Sequence, residues 1–279
     1  MENLPKELKN NIKNYLIFKP KTKKELQKAV DLWCEDKEKA LNYYCHISIW
    51  NTSLISDMSD LFKYKKDFND DISGWDVSSV IHMNSMFNGA FLFNHPLNSW
   101  DVSSVTNMSY IFSRAYAFNQ CLDSWNVSSV TDMGEMFHRA HSFNQPFNSW
   151  DVSSVTDMHA MFFGAFAFNQ PLDSWDVSSV TIMSSMFDGA SLFNQPIDSW
   201  DVSSVTSMQS MFYEAYSFNQ PLNSWNVSSV TDMNYMFYNA TLFNQQLDSW
   251  DISNVENTSN ILEKASSFDK NNAPWYNFD

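Results

Sequence analysis

The sequence predicts an α/β fold: a right-handed solenoid of 25-residue strand–turn–helix units with a parallel sheet and an amino-terminal helical cap. Two observations carry this expectation. The first is a strict period. Trp recurs every 25 residues from Trp50 to Trp275, Phe recurs from Phe62 to Phe237 and from Phe68 to Phe268, and Ala recurs from Ala90 to Ala265. A fixed period between 20 and 50 residues marks units that bury their apolar faces against their neighbours. The second is a change of rhythm inside each unit, from a spacing of two to spacings of three and four.

Taken in order, residues 1–17 predict an amphipathic helix with Leu4, Leu8, Ile12 and Leu16 on one side. With Pro5, the same stretch resembles the opening helix of an F-box, which implies docking to a ubiquitin-ligase adaptor through Leu4, Pro5, Leu8, Ile12 and Leu16. Residues 18–46 predict a helical cap, with Leu26, Val30 and Trp33 on one apolar face. The 25-residue repeat follows over residues 47–257. In the copy around residue 100, Leu97, Trp100 and Val102 follow the spacing LxxLxL, which turns Trp100 and Val102 to one face of a strand. Val105, Met108, Ile111, Phe112 and Ala115 then mark one face of a short helix.

Ser129 and Asp132 have the spacing of a capping box for that helix, repeated by Ser154 with Asp157 and by Ser229 with Asp232. The Asn column from Asn69 to Asn244 falls in a turn, where side-chain amides satisfy backbone groups. Residues 258–279 predict a degenerate carboxy-terminal cap, because Thr258 and Leu262 break the columns and Lys264, Lys270 and Pro274 arrive at the last edge. Charges and Pro on an open edge disfavour end-to-end pairing, so a monomer is expected.

The repeated unit FNQPLxSWDVSSVTxMxxMF, with the preceding FKPKTKKELQKAVDLWCEDKEKALNYY, resembles the BspA-like leucine-rich-repeat family. That family takes in mycoplasma-type lipoprotein repeats of unknown function and related arrays in large DNA viruses and protists. The resemblance implies a leucine-rich-repeat-like fold and an interaction role, often at surfaces.

Charge and motif content narrow the function classes. The net charge is −15, and residues 47–279 carry 7 Lys and Arg against 25 acidic residues. Such a body repels phosphate, so a nucleic-acid partner is not expected. No apolar run approaches the ~18–20 residues of a membrane span. The amino terminus lacks the apolar core of a secretion signal, so a cytoplasmic or virion-associated location is expected. Cys34, Cys45 and Cys121 make no disulfide framework. His138, His141 and His159 are read as solvated histidines, and no metal or other cofactor is expected. No hydrolase, P-loop or metalloprotease motif is present, so an enzyme is not expected.

Two surfaces remain. Ser99, Asp101 and Ser103 point outward from each expected strand, and Asp recurs from Asp76 to Asp251 with Asn126 and Asn226 interrupting. Local hydrogen bonding explains this column better than cation binding does. The positions that differ between copies say more. Tyr110, Arg114, Tyr116, His138, Arg139, Phe163, Phe166, Tyr213, Tyr216, Tyr235 and Tyr238 fall on the expected outer helix face and the turn after it. Tyr and Arg favour interface hot spots. The function expected is a protein-interaction scaffold whose partner is a protein, a host protein if the chain is a viral or parasite product. The alternatives are a structural subunit of a particle or layer, and a ligase subunit that recruits substrates.

Overall fold

The computed structural model of the chain describes residues 17–276. Leu4, Pro5, Leu8, Ile12 and Leu16, the expected adaptor contacts, lie outside the described residues.

Two helices open the described chain: α1 over Lys23–Glu35 and α2 over Lys37–Tyr44. The Thr22 hydroxyl accepts the Glu25 N–H, and the Asp36 carboxylate accepts the Lys39 N–H. Caps of this kind contribute about 1 kcal/mol each. α1 buries Leu26, Ala29, Val30 and Trp33. Its polar residues reach the first repeat: Gln27 donates to the Leu61 carbonyl at 3.0 Å, Lys23 pairs with Asp57 at 3.0 Å and Trp33 Nε1 donates to Asp70 at 2.8 Å. The helix thus covers the first rung, which has no repeat before it, through the Leu61 carbonyl and the Asp57 and Asp70 carboxylates.

From there the chain stacks in 25-residue rungs made of consecutive tight turns. Around residue 110, Ile111 N–H donates to Met108 O, Ser113 to Tyr110 O and Ala115 to Phe112 O, all within the rung. The alternate donors Met108, Tyr110, Phe112 and Arg114 reach the next rung, at the carbonyls of Asp132, Gly134, Met136 and His138. Ser109 N–H donates to the Asn107 side chain at 2.9 Å. Every N–H from Met108 to Ala115 therefore has a partner, which a buried backbone requires.

This arrangement corrects the expected α/β architecture. Among the described residues there is no β-strand, and no α-helix in the repeats; neighbouring rungs share single parallel bridges, from Asp57–His82 to Asp232–Asn257. The fold is neither a leucine-rich-repeat solenoid nor a parallel sheet. The reason lies in two positions of each rung. Tyr110 and Arg114, and their counterparts from Asp60 and Tyr64 to Asn260 and Lys264, have φ between 48° and 62°, or 60° to 72° where the residue is Gly. Two left-handed residues four positions apart in each rung interrupt both a right-handed helix and an extended strand. Successive turns also bring Met108, Ile111, Phe112 and Ala115 inward, so they reproduce the three–four spacing of a helix face. The capping box does not form: Asp132 accepts the Gly134 N–H and Asp157 the His159 N–H, while Ser129 donates to Ser103 O.

The register of 25 places like rings on like rings. Phe62 to Phe237 stack with centroids 5.4 to 5.8 Å apart, and a second ladder runs from Phe68 to Phe268. Within a rung the two ladders touch, as Phe112 and Phe118 do at 3.9 Å. The Trp column is buried, and most of its indole N–H groups donate to the carbonyl 28 residues earlier, Trp150 to Leu122 O at 3.0 Å for example. Trp175 is the exception, its Nε1 buried without a partner. The carbonyl at its register belongs to Phe147, which stands where other rungs have Leu or Ile and packs 4.3 Å from Trp150 and 5.8 Å from Trp175. On another side of each rung, every Asn side-chain oxygen from Asn69 to Asn219 accepts the N–H of the next Asn in the column, as Asn94 does from Asn119 at 2.9 Å.

Two stability measurements test this packing. Trp150→Ala, which empties a ring site and removes the indole hydrogen bond to the Leu122 carbonyl, is expected to cost about 3–5 kcal/mol in denaturant unfolding; a wild-type midpoint would place the Trp outside the core. Gly189→Ala separates the turn from a helix by sign. In a helix the change would stabilise by about 1 kcal/mol, whereas a left-handed residue with φ of 65° should lose about 1–2 kcal/mol. The added Cβ would meet nothing closer than 3.6 Å, so the loss reads backbone conformation and not a clash.

Candidate functional site: the turn face

The expected outward Asp column is satisfied locally. Asp101 accepts the Ser103 hydroxyl at 2.6 Å and the Ser103 N–H at 3.1 Å, which holds its carboxyl below the usual range, and Asp151 and Asp201 have the same serine partners. Among the described residues, no group of three or more His, Cys, Asp or Glu is placed to hold a metal ion. This face is one local turn, copied rung after rung.

The opposite situation holds around the two left-handed columns, where the side chains change from rung to rung. Because each rung repeats the same backbone, equivalent positions line up in columns, and unlike side chains meet along them. Phe91, Tyr116, His141 and Phe166 form a surface stack with centroids 4.6, 4.6 and 4.7 Å apart. Lys66 stands 5.4 Å from the Phe91 ring at one end, and Phe166 at the other is 49% exposed. Burial lowers the proton affinity of His141 within this stack, with Arg139 adding to the effect.

A second cluster gathers Tyr110, Arg114 and His138 around Glu135. These residues, with Tyr64, Asn88 and Ser113, line a cleft of about 160 Å³. His138 Nδ1 lies 2.9 Å from Glu135 Oε2, and burial lowers its affinity for a proton. His159 Nδ1 lies 2.8 Å from Asp157, whose hydrogen bond raises the pKa of the imidazole. The Tyr110 hydroxyl is pushed up to about 12 by burial and by its hydrogen bond to Glu135.

The third cluster lies toward the carboxy-terminal end. Tyr213 and Tyr238 stack at 4.8 Å, Tyr235 meets both rings edge-on, and Lys264 bonds the Tyr238 hydroxyl with its ammonium 4.8 Å from the ring centroid. Tyr216 is 39% exposed beside them. Arg139 and Phe163 extend the second cluster, with Phe163 edge-on to His138 at 4.7 Å and the Arg139 guanidinium 5.7 Å from the Phe163 ring centroid.

The residues that differ between copies thus fall in three clusters on turns, not on a helix face. The aromatic stack and the tyrosine cluster were legible from the columns alone. Phe91, Tyr64, Asp188 and Lys264 were missed, although each shares a column with a residue that was named. A larger concavity, about 1160 Å³, lies on α1 and α2 among Lys23, Lys24, Lys28, Glu35 and Lys39, away from these rings. No helix among the described residues is long and apolar enough to cross a membrane.

Fold and face together define a turn-built repeat protein whose periodic contacts and aromatic clusters form a surface usable for interactions. The chain belongs to the family described as "Mycoplasma protein of unknown function, DUF285", whose model matches residues 34–132, 100–181, 119–214 and 168–275. No curated protein matches it. The match to this family, and the lack of a sheet among the described residues, replace the expected BspA-like leucine-rich-repeat and viral resemblance.

Asp188 supplies a pH test of the turn face. Burial, with Glu214 next, pushes its carboxyl up from an ordinary 3.8 to about 7. Between these values the folded chain holds a proton that the unfolded chain releases. This contribution therefore favours folding at low pH and is lost as pH rises through about 7. Asp188→Asn should gain in melting temperature over the wild type on going from pH 5 to pH 8; a difference that stays constant would mean the carboxyl is well solvated.

Proposed function

We propose that the protein is a non-enzymatic interaction scaffold that recognises a partner protein through its turn face. One observation carries the reading: the core columns repeat in every rung, whereas the ring-bearing residues of the turn face change from rung to rung and gather into clusters. A surface identical in every rung gives a partner no unique register. Unlike residues in register do, and Tyr, Phe and Arg held against neighbouring rings lose little further freedom on binding. Tyr110, Arg114, Tyr116, His138, Arg139, Phe163, Phe166, Tyr213, Tyr216, Tyr235 and Tyr238 are the contact residues on this reading. The scaffold acts as a monomer, with Lys264 at the last rung disfavouring further stacking.

The combined variant Tyr116→Ser, Phe166→Ser, Tyr216→Ser tests this reading against Ser128→Lys, Ser178→Lys on the uniform face. Both should keep the wild-type circular dichroism spectrum. Site-specific photo-crosslinking in native cells should lose its protein adducts only in the first. Loss in the second alone would move recognition to the uniform face.

A further inference from the structure

Along one column of the turn face, successive rungs present His138, Phe163, Asp188, Tyr213 and Tyr238. Adjacent rings in this column lie 4.7 Å apart at His138–Phe163 and 4.8 Å apart at Tyr213–Tyr238. Phe163 and Tyr213 are two rungs apart, so about 10 Å separates them. Asp188 is the residue of that column between them. Tyr213 lies nearly parallel to Tyr238, with 8° between their planes, and Phe163 carries the Arg139 guanidinium 5.7 Å from its centroid.

The column beside it supplies the side chains that flank this interval. Its residues are Arg139, Gly164, Gly189, Glu214, Asn239 and Lys264. Where this column carries a cation, the cation settles on a ring of the first column, as Arg139 does on Phe163 and Lys264 on Tyr238. At the rungs of Phe163 and Asp188 it carries Gly164 and Gly189 instead, and at the rung of Tyr213 it carries Glu214; a Cβ added at Gly189 would lie 3.6 Å from Gly164 Cα. The molecule thus twice builds a cation on this aromatic column, and it supplies no side chain from the two glycine positions at the rung where a carboxylate waits.

We propose that Phe163, Asp188 and Tyr213 form a binding notch for a quaternary ammonium group, such as the head of trimethyl-lysine or of choline. A cation centred between the rings would lie about 5 Å from each centroid, inside the ~6 Å reach of cation–ring attraction. The interval is too wide for both rings to close on a flat guanidinium and suits a rounded trimethylammonium. Asp188 and Glu214 supply the counter-charge, and the acidic body draws cations toward the face. The raised proton affinity of Asp188 fits a carboxylate short of a cation. The inference deepens the recognition reading above by naming the chemistry at one point of the surface.

The test titrates the full chain with N-acetyl-trimethyl-lysine amide, with choline, and with 3,3-dimethylbutanol, the uncharged analogue of choline, while NMR follows the Tyr213 ring. Saturable binding of at least one cation, ten-fold or more tighter than the alcohol, is the expected result. Comparison of the two cations then assigns the source as peptide or small molecule. Tyr213→Ala and Asp188→Asn should each weaken binding at least five-fold, and Phe163→Leu replaces Tyr213→Ala should the latter not fold. Equal binding of cation and alcohol, no saturable binding, or full binding by the folded variants would overturn the notch. Loss of crosslinking at Tyr116, Phe166 and Tyr216 bears on the recognition surface and leaves the ammonium titration unchanged, so failure of one reading is distinguishable from failure of the other.

Discussion

The backbone hydrogen bonds that pass from Met108, Tyr110, Phe112 and Arg114 to the next rung hold the rest of the structure in place. Because the donors alternate, the N–H groups between them are left to close turns within their own rung. One set of bonds stacks the rungs while the other bends each rung into a ring, and neither needs a strand or a helix. The cost is conformational. Two residues per rung sit in the left-handed region, at roughly 1–2 kcal/mol each when they carry a Cβ. Glycine relieves this only at Gly89, Gly164 and Gly189. Elsewhere the bonding and ring burial of the stack must offset it.

Everything in register follows from those bonds. Phe falls on Phe, Trp on Trp, and each Asn amide accepts the backbone of the next Asn. A single departure is felt locally and not along the stack. Phe147, larger than the Leu and Ile of its column, leaves the Trp175 indole without its acceptor, while Trp200 regains one at Leu172 at 2.9 Å. This locality belongs to repeat proteins, whose units contact mainly their neighbours. It is also what frees the turn face to vary: a side chain changed there meets only the rungs before and after it.

The α1 helix shows how the stack is ended at its first rung. That rung has acceptors with no rung before it, and α1 brings Gln27 to the Leu61 carbonyl and Lys23 to Asp57. The lysines of the opening segment meet carboxylates of the first rung, Lys23 at Asp57 and Lys37 at Asp70. The ion pairs themselves are partly exposed and contribute little individually; the buried face of Leu26, Ala29, Val30 and Trp33 does most to seat the helix.

The period of 25, the inward columns of Trp, Phe, Met and Ala, and the acidic body were determined by the sequence alone. Burial follows composition and spacing whatever the backbone does between the buried points. The path between those points was not legible. Met108, Ile111, Phe112 and Ala115 step by three and four on a helix and equally at the inner corners of successive turns, and nothing about Tyr110 or Arg114 announces a positive φ. The candidate site divides in the same way. Which residues differ between rungs could be read from the columns, and so Tyr213 and Phe163 were named. That Asp188 stands between them beside two glycines was decided by the tertiary structure, because only the stacking of rungs brings residues 25 and 50 positions apart onto one line.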